Sequence, residues 1–122
     1  TANSFDHPIY KYDEHDDYPE LIARAAKALT DNDEDRAIIL GGSGQGEAMV
    51  ANRFKGIRAT VYYGGPTEII TLSREHNNAN VLSLGARFLS RTEAKEAVAL
   101  WLATAFTNEE RHTRRIAAID SF

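Results

Sequence analysis

Residues 36–52 read Arg-Ala-Ile-Ile-Leu-Gly-Gly-Ser-Gly-Gln-Gly-Glu-Ala-Met-Val-Ala-Asn, and this stretch decides the fold. Ala37, Ile38, Ile39 and Leu40 form a short apolar run of the kind a buried strand shows. Gly41, Gly42, Gly44 and Gly46 then fall within six residues, and Glu47 opens a segment of good helix formers, Ala48, Met49 and Ala51 among them. Strand, glycine turn and helix start are the parts with which α/β proteins hold an anion against free backbone N–H groups. The two common nucleotide loops of this type do not fit. A P-loop needs Lys after its last glycine, where Glu47 stands. A dinucleotide turn counted from Gly42 needs glycine at position 47 and an acid at the end of the next strand, where Tyr62 and Tyr63 stand. What remains is a glycine cradle with a carboxylate at its rim.

Upstream, residues 1–15 have no sustained period and read as a polar loop. The acids Asp13, Glu14, Asp16 and Asp17 suit the start of a helix whose first turn holds Pro19. Leu21, Ile22, Ala25, Ala26 and Leu29 give that helix one apolar face. Downstream, a helix from Glu47 to about Arg53 closes at Lys55-Gly56. Residues 58–63 are β-branched and aromatic enough for a second strand, which Gly64-Gly65-Pro66 breaks. Thr67 is the expected cap of a helix carrying Ile69, Ile70 and Leu72 and ending near His76 and Asn77. Residues 81–84 make a third strand, followed by Gly85-Ala86-Arg87. Ser90 with Glu93 predicts a capping box for the longest helix, whose core stripe is Ala94, Ala97, Val98 and Trp101. Thr107 with Glu110 predicts another box for a last helix that carries Arg111, His112, Arg114 and Arg115.

Strands alternating with helices imply an α/β chain, a Rossmann-like three-layer α/β/α sandwich on a mainly parallel sheet, in one domain over residues 1–122. Three strands are few for so many helices. Apolar faces such as Leu21/Ile22/Ala25 and Ala97/Val98/Trp101 are expected to lack partners, which predicts a missing strand or a partner subunit. The hydrophobic share of 43% and charged share of 26% suit a soluble globule, and the net charge of −4 argues against general nucleic-acid binding. No apolar run approaches the ~18 residues of a membrane span, and no signal peptide is visible. The absence of Cys removes disulfides, thiolate metal sites and thiol nucleophiles, and fits a cytoplasmic setting.

Residues 39–58, with Ser-Arg-Glu-His-Asn-Asn-Ala-Asn-Val-Leu-Ser-Leu-Gly-Ala-Arg at 73–87 and Arg-His-Thr-Arg-Arg at 111–115, resemble the ribose-5-phosphate isomerase B family. That family includes the galactose-6-phosphate isomerase subunits. The three motifs occur in the family's order and spacing, and the resemblance runs from about Asp16 to Ile119. Many members carry Cys-Gly-Thr-Gly at the loop, with the Cys as base; here that position is Gly41. The chain is similar instead to the actinobacterial subgroup, which carries Gly-Gly-Ser-Gly-Asn-Gly-Glu and uses the Glu. The family opens with an upstream strand ending in Asp-His and then a helix. Asp6-His7 has no apolar strand before it and Pro8 after it, so that unit is expected to be missing from this chain.

The resemblance implies an aldose–ketose isomerase acting on a sugar phosphate, most simply ribose 5-phosphate, with no metal and no organic cofactor. Glu47 takes the base position. Ser43 stands for the family's Thr beside the substrate oxygens, and Gly42, Gly44 and Gly46 offer N–H groups. His76 matches the residue that opens the sugar ring, and Asn77 its neighbour on the sugar hydroxyls. Arg111 and Arg115, four apart and so on one helix face, match the phosphate-binding pair, with His112 beside them and Arg87 as a further candidate. The family's site lies between subunits, so a homodimer or tetramer is expected, with His76 and Asn77 reaching the neighbour's Glu47 loop. Residue type alone leaves blander readings open: a surface His, a turn Ser, a solvated basic helix end. Two rivals also stay open, an isomerase of a hexose or tetrose phosphate and a non-catalytic sugar-phosphate-binding subunit.

Overall fold

The computed structural model describes residues 17–31 and 35–122. The elements run α1 (Tyr18–Thr30), β1 (Ala37–Gly41), α2 (Gln45–Ala51), β2 (Ala59–Tyr62), α3 (Glu68–Glu75), β3 (Val81–Gly85), α4 (Arg91–Ala103) and α5 (Glu110–Asp120). The sheet has the order β1-β3-β2 and is parallel throughout, with Ala37 and Ala59 both opposite Val81. β3 is central and every residue of it is buried, which explains its nearly unbroken apolar sequence.

Alternation along the strands sorts the core into two faces. Tyr62, Leu82 and Leu84 meet Ile70 of α3 and Ala94, Ala97 and Trp101 of α4. Ile39 and Val81 meet Ala26 and Leu29 of α1 and Ala51 of α2. The result is the three-layer sandwich that the strand–helix alternation predicts. The chain passes from β1 over β3 to β2 through α2, then returns to β3 through α3 on the other face. Two same-handed crossovers in opposite directions require helices on opposite faces.

The buried Arg74 ties this second face together. Its Nε donates to the Thr104 carbonyl at 3.0 Å, and its Nη1 donates to Asn78 Oδ1 at 2.8 Å and to the Ala79 carbonyl at 2.7 Å. Burial, then Arg36 and Arg58, lower its pKa. The carbonyl oxygens around it are acceptors suited to a guanidinium, which has no acceptor of its own. Arg36 and Arg74 both lie against the Trp101 ring, at 5.7 and 5.9 Å from its centroid.

Several local expectations change. Trp101 and Ala97 are enclosed within the chain, so that face has its partner; Leu21 is 62% exposed and Ala25 is exposed, so the α1 face is only half covered. The Ser90–Glu93 capping box forms, with Glu93 N donating to Ser90 Oγ and Ser90 N donating to Glu93 Oε1. Those bonds hold the Glu93 carboxyl below its usual range. Its helix, at 13 residues, is no longer than α1. The loop after β1 gives way to helix at Gln45, two residues before Glu47. Thr67 caps nothing, because its own backbone is already helical. Thr107 forms no box with Glu110: its amide and hydroxyl both donate to the Glu75 carbonyl, and α5 starts after Glu109. A tie to the end of α3 has taken the hydroxyl that local capping would use. Of the acidic cluster, Asp17 precedes α1, whose first turn holds Pro19; Asp13, Glu14, Asp16 and the loop over 1–15 lie outside the described residues. No helix among the described residues is long and apolar enough to cross a membrane.

Candidate active site

At the carboxyl end of β1 the chain must turn sharply into α2, and Gly44 makes the turn with φ +78. Only glycine fits there: a Cβ would meet the Leu84 carbonyl carbon at 3.0 Å in a backbone region unfavourable for other residues. The Gly44 carbonyl accepts from Ser83 Oγ at 2.6 Å, which pins the loop to the central strand. Ser83 was not singled out from sequence, although a lone hydroxyl in an apolar strand is a signal that something polar lies above it. Ser43 Oγ accepts from Gln45 N at 3.3 Å. The amides of Gly42, Ser43 and Gly44 donate to no described acceptor and so remain available.

Glu47 stands in the first turn of α2. Its side chain is 9% exposed and makes no hydrogen bond or ion pair with the described residues. A buried carboxylate is normally partnered, so one without a partner among the described residues, at a loop of free amides, is a candidate functional position. The carboxylate lies directly over Gly41: a Cβ built there would land on it. A base projecting from position 41, as in the Cys-bearing members of the resembled family, would therefore occupy the space that Glu47 fills from six residues downstream.

Two more side chains border this loop. Arg87 follows β3; its amide donates to the Gly42 carbonyl at 3.0 Å, and its guanidinium crosses Gly42, where a Cβ would meet Nη2 at 3.3 Å. The Tyr18 hydroxyl lies against Gly46, so a Cβ there would land on it. Nothing in the sequence marked Tyr18, whose place depends on how α1 packs beside α2.

The remaining candidates gather elsewhere. His76 ends α3, its amide donating to the Leu72 carbonyl at 3.0 Å. His112, in the first turn of α5, stacks on it with ring centroids 4.2 Å apart and planes 18° from parallel. His112 is buried, and its Nε2 has no hydrogen-bond partner; Glu109 Oε2 is 3.7 Å away. Burial, then His76 and Arg111, and to a lesser degree Arg115, lower the His112 pKa, against the opposing pull of Glu109. Arg111 and Arg115 are exposed; Nη1 of Arg111 is paired with Glu109 Oε2 at 2.9 Å, and Arg115 forms no ion pair with the described residues. The Asn77 side chain is exposed, and its carbonyl accepts from Arg58 Nε at 3.0 Å.

Two clusters follow from the topology. Gly42, Ser43, Gly44, Gly46, Glu47 and Arg87 lie where strands end. His76 and Asn77 lie where a helix has returned to the start of β2 and β3, beside Arg58 and Asn80. α5 runs along that same end, with Asp120 3.5 Å from Arg58 and His112 on His76. A five-residue parallel strand separates the two ends by about 13 Å. Within one chain the structure therefore does not bring Glu47 to His76, or to Arg111 and Arg115. One end offers a carboxylate, free amides and a guanidinium; the other offers an imidazole, an amide side chain and two guanidiniums.

The chain matches the Ribose/Galactose Isomerase family over residues 2–119. It is 36% identical over 107 residues to ribose-5-phosphate isomerase B of Mycolicibacterium paratuberculosis, an alignment covering 88% of this chain and 66% of the relative. To the enzyme of that name from Mycobacterium tuberculosis H37Rv it is 37% identical over 106 residues, 87% of this chain and 64% of the relative. The chain thus spans slightly less than two thirds of the length of these relatives. Among solved structures it is similar to ribose-5-phosphate isomerase B of Mycoplasma genitalium with bound ribulose-5-phosphate, at TM-score 0.83 and 36% identity over 93% of this chain and 73% of that one. The Thermotoga maritima ribose 5-phosphate isomerase gives TM-score 0.81 and 36% identity over 93% and 77%. By sequence match and by fold, this chain belongs to the ribose/galactose isomerase family.

Proposed function

We propose that the chain is a sugar-phosphate aldose–ketose isomerase that interconverts ribose 5-phosphate and ribulose 5-phosphate, with Glu47 as the base. The observation that carries this reading is the buried Glu47 carboxylate over Gly41, without a partner among the described residues and beside three amides that donate to none of them, in a chain of this family. In the reaction Glu47 takes the proton from C2 of the open-chain aldose and returns it to C1. The amides of Gly42, Ser43 and Gly44 and the Ser43 hydroxyl face the enediolate oxygens where charge develops. Gly46 belongs to the same cradle, and Arg87 borders the sugar.

The other cluster completes the site from a second copy. His76 protonates the ring oxygen as the furanose opens, and Asn77 holds sugar hydroxyls. Arg111 and Arg115 grip the dianionic phosphate, which supplies binding energy remote from the reacting carbons. Two clusters at opposite ends of one sheet suit a two-fold pair, in which each end meets the opposite end of its partner and two equal sites result.

The test is turnover by the 122-residue chain of ribose 5-phosphate and, in parallel, of hexose and tetrose phosphates. Preference for ribose 5-phosphate, abolished by Glu47→Gln with phosphate binding retained, is the expected result. Turnover of another sugar phosphate in preference moves the substrate; binding without turnover of any of them sinks the enzymatic reading.

A further inference from the structure

The match of residues 111–115 to a phosphate-binding motif makes His112 a phosphate ligand alongside Arg111 and Arg115. Its surroundings argue otherwise. Arg111 and Arg115 point outward on one face of α5, while His112, one residue round the helix, points into the protein and is 4% exposed. Its Nε2 is enclosed and makes no hydrogen bond among the described residues. A nitrogen held away from solvent beneath another ring is poorly placed to receive a phosphate oxygen.

The contact His112 does make is with His76, and the chain fixes that contact from two sides. The His76 amide is held by the Leu72 carbonyl, which sets its backbone at the end of α3. Thr107 donates twice to the Glu75 carbonyl, tying the approach to α5 onto the residue before His76. The two imidazoles then lie nearly parallel at 4.2 Å. His76 at a helix end, with both χ angles free, would otherwise sample several ring orientations. We infer that His112 is a positioning residue: an aromatic platform that holds the His76 ring in the orientation needed at the sugar ring oxygen, and not a ligand of the phosphate. This rests on the proposed role of His76 in ring opening. The direction of the His112 pKa supports it, because a platform that stays neutral can lie under an imidazole that gains and loses a proton. Among the described residues, the charged groups that act on His112 besides His76 are Glu109, Arg111 and Arg115, all from α5 and its approach.

His112→Phe keeps a flat ring of similar place, while His112→Leu fills the space without one. NMR of histidine-labelled protein, with His76 assigned through His76→Gln, reads the stack directly. The His76 ring protons should be shielded by the neighbouring ring in the parent and in His112→Phe, and lose that shielding in His112→Leu. With ribose 5-phosphate, His112→Leu should lower kcat about 10- to 100-fold, as misplacing a reacting group does, with KM within about twofold. His112→Phe should restore kcat to within about threefold. Inhibition by inorganic phosphate should be the same in all three, since Arg111 and Arg115 remain. Weakened phosphate inhibition and raised KM in both variants, or His76 shielding indifferent to His112→Leu, would overturn the inference. If the parent turns over no ribose 5-phosphate, the isomerase reading fails while the NMR comparison still decides whether His112 orients His76.

Discussion

Gly41→Ala tests the seat of the proposed base without touching Glu47. Gly41 takes no left-handed backbone conformation, so alanine fits the chain itself. The new Cβ, however, would stand 2.5 Å from Glu47 Oε1 and nearer still to Oε2, whereas ordinary contact begins at 3.4 Å. The carboxylate is the free end of a flexible side chain, so it is the group that moves, by about 1 Å or more; misplacement on that scale costs about 100-fold in rate. That loss corresponds to about 2.7 kcal/mol of transition-state stabilisation. Folding should hardly change. Overpacking costs about 1 kcal/mol at its mild end, and glycine-to-alanine returns about 0.4–1 kcal/mol by restricting the unfolded chain. The assay is kcat for ribose 5-phosphate beside a thermal melt, with Glu47→Gln as the reference. The expected pattern is a kcat approaching that of Glu47→Gln with a Tm within a few degrees of the parent. Gly41→Cys combined with Glu47→Ala should then recover part of the rate, by placing a thiol where the carboxylate was. A Gly41→Ala variant that keeps its kcat within about threefold would refute the idea that the carboxylate works from above Gly41.

The other expected outcomes concern the opposite end of the sheet. Arg115→Ala should weaken sugar-phosphate binding by about 10- to 150-fold, from about 1.5–3 kcal/mol for a hydrogen bond to a charged group. Arg111→Ala should cost less, because Glu109 already competes for that guanidinium at 2.9 Å; equal and unchanged affinities by calorimetry would remove the phosphate assignment. Mixing the inactive variants Glu47→Gln and His76→Ala should return activity towards half per dimer, since one of the two shared sites then has both residues; no recovery after proven subunit exchange rejects a shared site. His112, whose folded pKa is lowered by burial, binds its proton more readily unfolded than folded. Its contribution to stability is complete above about pH 6.5, the unperturbed value, and is lost as pH falls through the lowered folded value. Unfolding midpoints measured from pH 7 downward should therefore fall more steeply in the parent than in His112→Phe, and parallel slopes would contradict this.

The sheet was legible because each of its strands is short, apolar and bounded by glycine or a polar turn, and the loop of residues 41–46 could end in little but a helix. The capping box at Ser90 and Glu93 was legible because both partners are local. The misread positions share one cause. Thr67 and Thr107 look like caps in isolation, yet Thr107 spends its hydroxyl on Glu75, 32 positions away. Trp101 looked like part of an unpartnered stripe because nothing local announces that Arg36 and Arg74 will close over it.

The division of the candidate site into two clusters was half legible. In a parallel α/β chain, residues just after a strand lie at one end of the sheet and residues just after the next helix lie at the other. That rule alone sends residues 42–47 and Arg87 one way and His76 and Asn77 the other, whatever their chemistry. It says nothing of α5, which follows no strand and could lie at either end. Its place is set by three contacts distant in sequence: Thr107 on Glu75, His112 on His76, and Asp120 on Arg58. Because all three anchor it to the end away from Glu47, Arg111 and Arg115 join the imidazole and not the carboxylate. The proposed base and the proposed phosphate grip are thus built on one chain but aimed apart. A single sugar phosphate, a few carbons long, cannot reach both across a sheet of about 13 Å with helices between. On the proposed assignment the same substrate touches both only if two copies turn unlike ends towards each other, and that is why the proposed site calls for a second subunit.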